Sequence, residues 1–203
     1  MHVRQAWVLL GLLTALGCGA GPRPAPPPPC DQSCQDGVAL LGLRTAMKTA
    51  YNFKIAAMPV GDQDATTPCI SFDGKLGGKV HIVGMAEVNA LQGASLVALT
   101  YDFQDCLFSA PPDPTADQNF SLTFSGKVSE AGTISVQPTA TTALQIESVA
   151  DPSTSIPSES LSISGTVYDP PVDYSASNCA LSVIQNGNLV SGVFCGRMAG
   201  FTF

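Results

Sequence analysis

From Lys79 to Phe203, apolar and polar side chains alternate with a period of two, the spacing that sends successive residues to opposite faces of a strand. Lys79 to Asn89 places Val80, Ile82, Gly84, Ala86 and Val88 on one side. Ser95 to Phe103 does the same with Val97, Leu99, Tyr101 and Phe103 before reaching Cys106. Phe120 to Ser129 is the clearest run: Phe120, Leu122, Phe124 and Val128 face one way, and Ser121, Thr123, Ser125, Lys127 and Ser129 the other. Glu130-Ala131-Gly132 reads as a turn into a further strand, Thr133 to Gln137, with Ile134 and Val136 inward. Leu144 and Ile146 continue the pattern, and Ser160 to Tyr168 repeats it through Leu161, Ile163, Gly165 and Val167. Near the end, Asn186-Gly187 between two apolar arms predicts a hairpin, and Ala199 to Phe203 a closing strand with Phe201 and Phe203 inward.

The period differs upstream. Leu40, Leu43, Met47 and Tyr51 recur at three- and four-residue steps, which predicts a helix from Asp36, as its cap, to about Tyr51, with the stripe packed into the core. Val60 to Gly78, with Pro68, Cys69 and Gly74, reads as loop-rich. The sum is an all-β domain with one N-terminal helix and about nine strands. Each strand has a Ser/Thr-rich outer face and is half buried, as in antiparallel sheets with one wet face. An antiparallel β-sandwich or a partly open β-barrel satisfies that pattern. Residues 30–203 are enough for one domain with its own core, and no internal repeat is present.

The first thirty residues belong to none of this. Arg4 precedes an apolar run of eleven residues, Ala6 to Leu16, against the roughly 20 needed to span a bilayer. A basic start, a short apolar core and a small-residue exit make residues 1–17 a secretory signal peptide. Its exit, Thr14-Ala15-Leu16-Gly17-Cys18, resembles that of bacterial lipoproteins, in which a Cys after Gly or Ala is acylated and becomes the first residue of the mature chain. The resemblance implies lipidation of Cys18 and a membrane partner reached through that lipid. The location implied is the cell envelope, at the outer membrane, facing the periplasm or the surface. Ala15-Leu16-Gly17 also fits ordinary secretion. Residues 18–29 then form a proline-rich tether: at about 3.1 Å per residue, Gly19 to Pro29 is a semi-rigid spacer of roughly 30 Å.

There are seven cysteines. With Cys18 given to the lipid, Cys30, Cys34, Cys69, Cys106, Cys179 and Cys195 remain, an even set that in an oxidising compartment reads as up to three disulfides. A three-residue loop, Asn186 to Asn188, would put Cys179 opposite Cys195; a two-residue Asn186-Gly187 loop would leave them one register apart. Zinc is disfavoured, since only Cys30-x₃-Cys34 has ligand spacing and His81 is the one histidine of the mature chain.

The formal charge is -7. From Val80 onward only Lys127 and Arg197 are basic, the opposite of the field that nucleic acid requires. The other cations of the mature chain, Arg23, Arg44, Lys48, Lys54, Lys75 and Lys79, lie near the tether and read as a solvated surface. The chain lacks a G-x-S-x-G elbow, and His81, beside Val83 and Met85 on an alternating strand, reads as a packed or rim residue. Asp62/Asp64, Asp102/Asp105, Asp113/Asp117 and Asp169/Asp173 are the close carboxylate pairs; most fall in Pro- and Gly-rich stretches where acids serve turns. Asp62-Gln63-Asp64 begins like a calcium loop but lacks the Gly and Glu that complete one. Terminal Gly200-Phe201-Thr202-Phe203 resembles the last strand of outer-membrane barrels, yet the outward Ser and Thr differ from a lipid-facing band. No catalytic residue, metal ligand or cofactor is assigned. The leading expectation is a non-enzymatic binding or structural role with an unidentified envelope partner. Two alternatives stand beside it: a carrier holding an apolar ligand against Tyr101, Phe120 and Phe124, and an envelope hydrolase using paired carboxylates.

Overall fold

The computed structural model describes residues 30–57, 59–71, 73–89, 91–110, 119–138, 140–149, 161–167 and 171–203. The predicted signal peptide and tether, Cys18, Asp113, Asp117, Ser160, Tyr168 and Asp169 lie outside them. One helix, α1 (Gln32–Lys54), is followed by ten antiparallel strands: β1 (Val60–Ile70), β2 (Leu76–Asn89), β3 (Ala94–Ser109), β4 (Phe120–Ser135), β5 (Ala143–Ser148), β6 (Leu161–Val167), β7 (Val172–Cys179), β8 (Leu181–Asn186), β9 (Leu189–Phe194) and β10 (Arg197–Thr202). They form one open sheet in the order β1-β2-β3-β4-β5-β8-β9-β10, with β6 and β7 branching from β4.

The branch comes from the length of β4. Phe120 to Ser125 pairs with β6, whereas Val128 to Thr133 pairs with β5. Gly126 and Lys127 lie between the two halves, and Gly126 takes φ 113°, a backbone conformation that costs glycine little. One strand thus holds two diverging wings, and the sheet curls around α1. The helix packs chiefly against β10 and also touches β4, β1, β3 and β6. Two glycines allow that approach. A Cβ on Gly42 would stand 3.0 Å from Leu122 Cδ1, and one on Gly37 would stand 3.1 Å from the Gly200 carbonyl oxygen of β10.

The core fills the space between. Leu40, Leu43 and Met47 meet Ile82, Leu99, Tyr101, Phe103, Leu122, Phe124 and Val128, all at most 2% exposed. The outward positions Ser121 and Ser164 are exposed, and Thr123, Ser125 and Ser162 are half-buried. All-β class, the single helix and the inward sets of β2 through β6 therefore stand as read from the sequence, except that Gly84, Val88 and Gly165 are exposed.

Several local readings are corrected. The helix starts five residues earlier: Asp31 is its cap, its carboxylate accepting from Cys34 N at 2.9 Å, and Asp36 is buried inside the second turn. Residues 60–70 are a strand, not a loop. Their inward positions are Gly61, Gln63, Ala65, Thr67 and Cys69, too small or polar to give a hydrophobic rhythm, and pairing with β2 holds them. Pro68 is tolerated because β1 is an edge. Glu130-Ala131-Gly132 is no turn; β4 runs straight through it, which makes one strand of the two predicted. β7 escaped notice because only Val172, Tyr174 and Ala176 mark its inner face before Cys179. Val88, Val136 and Phe203 are exposed, at or just beyond the ends of β2, β4 and β10.

All six cysteines from Cys30 onward are paired: Cys30–Cys34, Cys69–Cys106 and Cys179–Cys195. The last pair does not span the hairpin as expected. The β8–β9 turn is Gly187-Asn188, since Asn186 pairs with Leu189, and Cys179 ends β7 instead of belonging to β8. Cys195 sits in the β9–β10 turn, where it and Gly196 both take positive φ, so the bond ties the β6–β7 wing to the β10 edge. Cys69–Cys106 joins β1 to β3 across β2, and Cys30–Cys34 clasps the first turn of α1.

Phe124 is fully buried with its ring 5.8 Å from Phe103. Phe124→Ala should therefore cost about 3–5 kcal/mol through the cavity it leaves, while Ser125→Ala, which loses one exposed hydrogen bond to Asp105, should cost under about 1 kcal/mol. Urea denaturation of both variants checks this; equal midpoints would mean that the apolar face of β4 is not core.

Candidate functional site

Two charged residues of α1 face the core, and each is met by a partner from the sheet. Asp36 accepts both Arg197 Nε (2.5 Å) and Nη2 (2.8 Å), the Tyr174 hydroxyl (2.9 Å) and Gln32 Nε2 (3.1 Å). Burial alone would push its carboxyl up, but Arg197, Tyr174 and Gln32 outweigh that and hold it below the usual carboxylate range. Burial and the same carboxylate push the Tyr174 phenol up. This clamp fixes the start of α1 to β7 and β10. It is saturated and faces inward, so its role is to hold the fold.

The second pair lies two turns on. Arg44 Nη1 stands 3.3 Å from Glu130 Oε2 on β4, and Arg44 Nε donates to Gln185 Oε1 on β8 at 2.6 Å. The Tyr101 hydroxyl of β3 donates to the other Glu130 oxygen, and Gln185 Nε2 donates to the Gly187 carbonyl at 2.9 Å. Glu130 is fully buried; burial raises its pKa, and Arg44 and Tyr101 offset that only in part. Burial, with Glu130 nearby, likewise raises the phenols of Tyr101 and Tyr51. The Ser95 hydroxyl, 1% exposed, lies beside that of Tyr51 without a hydrogen bond of ordinary geometry. Glu130 Oε2, facing Arg44, also lacks one.

Unlike the Asp36 clamp, this cluster borders open space. Arg44, Lys48 and Gln185 line a cleft of about 590 Å³ between the C-terminal half of α1 and the β8–β9 turn. A second recess of about 500 Å³ runs on beneath the end of α1 toward the β2–β3 turn, lined by Ser95, Val88 and Val136 among others. Tyr51, Asn52, Ile134 and Ser135 line both, so the two recesses adjoin along one groove-like face. It has a cationic half and a half richer in apolar side chains, and none of the described residues lining either is Asp or Glu. A smaller apolar recess of about 90 Å³ lies by the Cys69–Cys106 bond, between Phe53 and Ile70.

The candidates named from the sequence fall elsewhere. His81 is on the outer face of β2, where Nε2 lies 2.7 Å from Asp64 Oδ1 across to β1. Asp62 and Asp64 are both on β1, so the D-x-D run has the geometry of a strand and not of a calcium loop. Among the described residues no cluster of three or more His, Cys, Asp or Glu is placed to hold a metal. Asp102 and Asp105 are on β3, not in a loop: Asp102 is in register with Lys127, and Asp105, at φ 50° in a bulge, accepts from Ser125. Asp173 is exposed on β7. Of the two carboxylate pairs that lie wholly within the described residues, Asp62/Asp64 and Asp102/Asp105, neither lines the cleft or its neighbouring recesses. The residues the structure does gather, Arg44, Glu130 and Gln185, carried one sequence signal: Glu130 continues the inward rhythm of Phe120, Leu122, Phe124 and Val128, and Arg44 stands four residues after Leu40 on the apolar stripe. Opposite charges at inward positions are the mark of a buried pair.

Comparison of the chain with protein-family models, with curated proteins and with solved structures finds no match.

The Asp36 clamp makes a pH-dependent claim. A carboxyl whose pKa is lower folded than unfolded adds stability above its unfolded value, about 3.9, and that contribution fades as pH falls through the folded value. Asp36→Asn should cost about 1.5–3 kcal/mol at pH 7, as for a charged hydrogen bond, and less at pH 3. Urea melts at both values check this; a cost independent of pH would contradict the ionised clamp.

Proposed function

We propose that the chain is an exported envelope protein, anchored by lipid at Cys18, whose domain binds a partner and does no chemistry of its own. The observation that carries the first part is the cysteine pairing. Three disulfides account for Cys30, Cys34, Cys69, Cys106, Cys179 and Cys195, and Cys18 is the one of seven cysteines outside that set. Disulfides favour an oxidising compartment, and a lipid gives the remaining cysteine a use that fits the short apolar run ending at Gly17.

The binding role is supported by what occupies the sheet. A carrier of an apolar ligand would keep the concave face open, but α1 fills it and buries Tyr101, Phe120 and Phe124. A hydrolase would set two carboxyls across a cleft some 5 to 10 Å apart; among the described residues the two buried carboxylates, Asp36 and Glu130, are each spent on an arginine and a tyrosine. Among the described residues, the groove at the end of α1, the small recess by the Cys69–Cys106 bond and the outer face of the sheet stay open.

Growth with a fatty-acid analogue should label the parent chain and not Cys18→Ala. Equal labelling of the two would contradict the anchor.

A further inference from the structure

The groove beside the C-terminal half of α1 has a division that the fold does not require. One half brings together Arg44 and Lys48, neighbours one helical turn apart on α1, with the amides of Gln185 and Asn52. The other half continues over Ile134, Val88 and Val136. In a protein of formal charge -7, the described residues lining this recess include two cations and no acid, and a cleft focuses such a field. Glu130 does offset Arg44, but from beneath: it is buried behind the floor and is not part of the lining. The Lys48 ammonium lies over the Phe203 ring, 5.1 Å from its centroid, at the mouth of the cationic half.

One buried side chain makes this more than a surface depression. Arg44, 4% exposed, is the floor of the cationic half and is held in place by Gln185 and Glu130, so its guanidinium is already positioned. Each half has a volume of the order of a small-molecule site, roughly 300–1,000 Å³.

We infer that this groove binds an organic carboxylate with an unbranched apolar body, the carboxylate on Arg44 and Lys48 and the body along Tyr51, Ile134 and Val136. The site lies at the rim, outside the face that α1 fills, and so differs from a half-barrel holding its ligand inside. The inference rests on the binding role proposed above and not on the anchor. Labelling of Cys18 and binding in the groove are read on separate parts of the chain, so either can fail with the other intact.

Calorimetric titration of the full chain, secreted as Cys18→Ala, with octanoate, hexanoate and octylammonium tests it. Octanoate should bind saturably at one site and hexanoate more weakly, by up to about fifteenfold, since each buried methylene contributes about fourfold. Octylammonium should bind at least tenfold more weakly than octanoate. Lys48→Glu and Val136→Asp change exposed side chains, one in each half, and each should weaken octanoate at least tenfold while leaving the thermal midpoint unchanged. Absence of saturable octanoate binding, equal binding of octylammonium, or parental affinity in either variant would overturn the assignment.

Discussion

Helix α1 lies in the bend of a sheet that has no second sheet to pack on, and its contact with β4 sets everything else. Gly42 rests against Leu122 and Phe120 with no room for a Cβ that does not displace them, and Gly37 rests against the β10 backbone. Twelve of the helix's 23 residues are buried there. Burying Leu40, Leu43 or Met47 is worth about 1.5–3 kcal/mol each, and the inner face of the sheet gains by the same contact. Without the helix the apolar rows of β2, β3, β4 and β6 would face water together. The helix also shields the outer strand β10, an exposed edge being a template for unwanted pairing. At the opposite edge, β1 carries Asp62, Asp64 and Pro68, residues that discourage such pairing.

Hydrophobic contact sets depth but tolerates sliding; the two ion pairs of α1, one buried and one half-buried, remove that freedom. Asp36 joins the start of α1 to β7 and β10, and Arg44 joins its middle to β4 and β8. A buried pair is weak evidence for net stability, yet losing one partner of Arg44–Glu130 costs about 3–5 kcal/mol because the other is left charged and dry, whereas Arg197 keeps half of its side chain in water and loses less with Asp36. Shifting the helix by a turn would break both at once. The pairs therefore act on register, and the second has a further effect: it fixes the floor of the groove.

Where side chains alternate cleanly, as in Phe120 to Val128 and Leu161 to Val167, the inward set was legible because a strand half in water must sort its residues. The chain hid its elements where sorting was not needed. β1 has little apolar surface to bury and is held by its neighbour. Glu130-Ala131-Gly132 resembles a turn by composition, and only Arg44, distant in sequence, makes an inward Glu acceptable there. The cysteine count was legible by parity, but the Cys179–Cys195 geometry was not, because it depends on Cys179 ending β7. The groove has no sequence signature at all: it is assembled from the end of α1, the β2–β3 and β8–β9 turns and the end of β4, brought together by the curl of the sheet.

Native-state hydrogen exchange in the full chain addresses the claim that helix and sheet are one core. Amides of Leu40, Leu43 and Met47 should exchange only through the same global opening as those of Tyr101, Phe103 and Phe124, with one shared free energy and denaturant dependence. Exchange of the helix amides through a separate, lower-energy opening, with the strand amides still protected, would contradict the account.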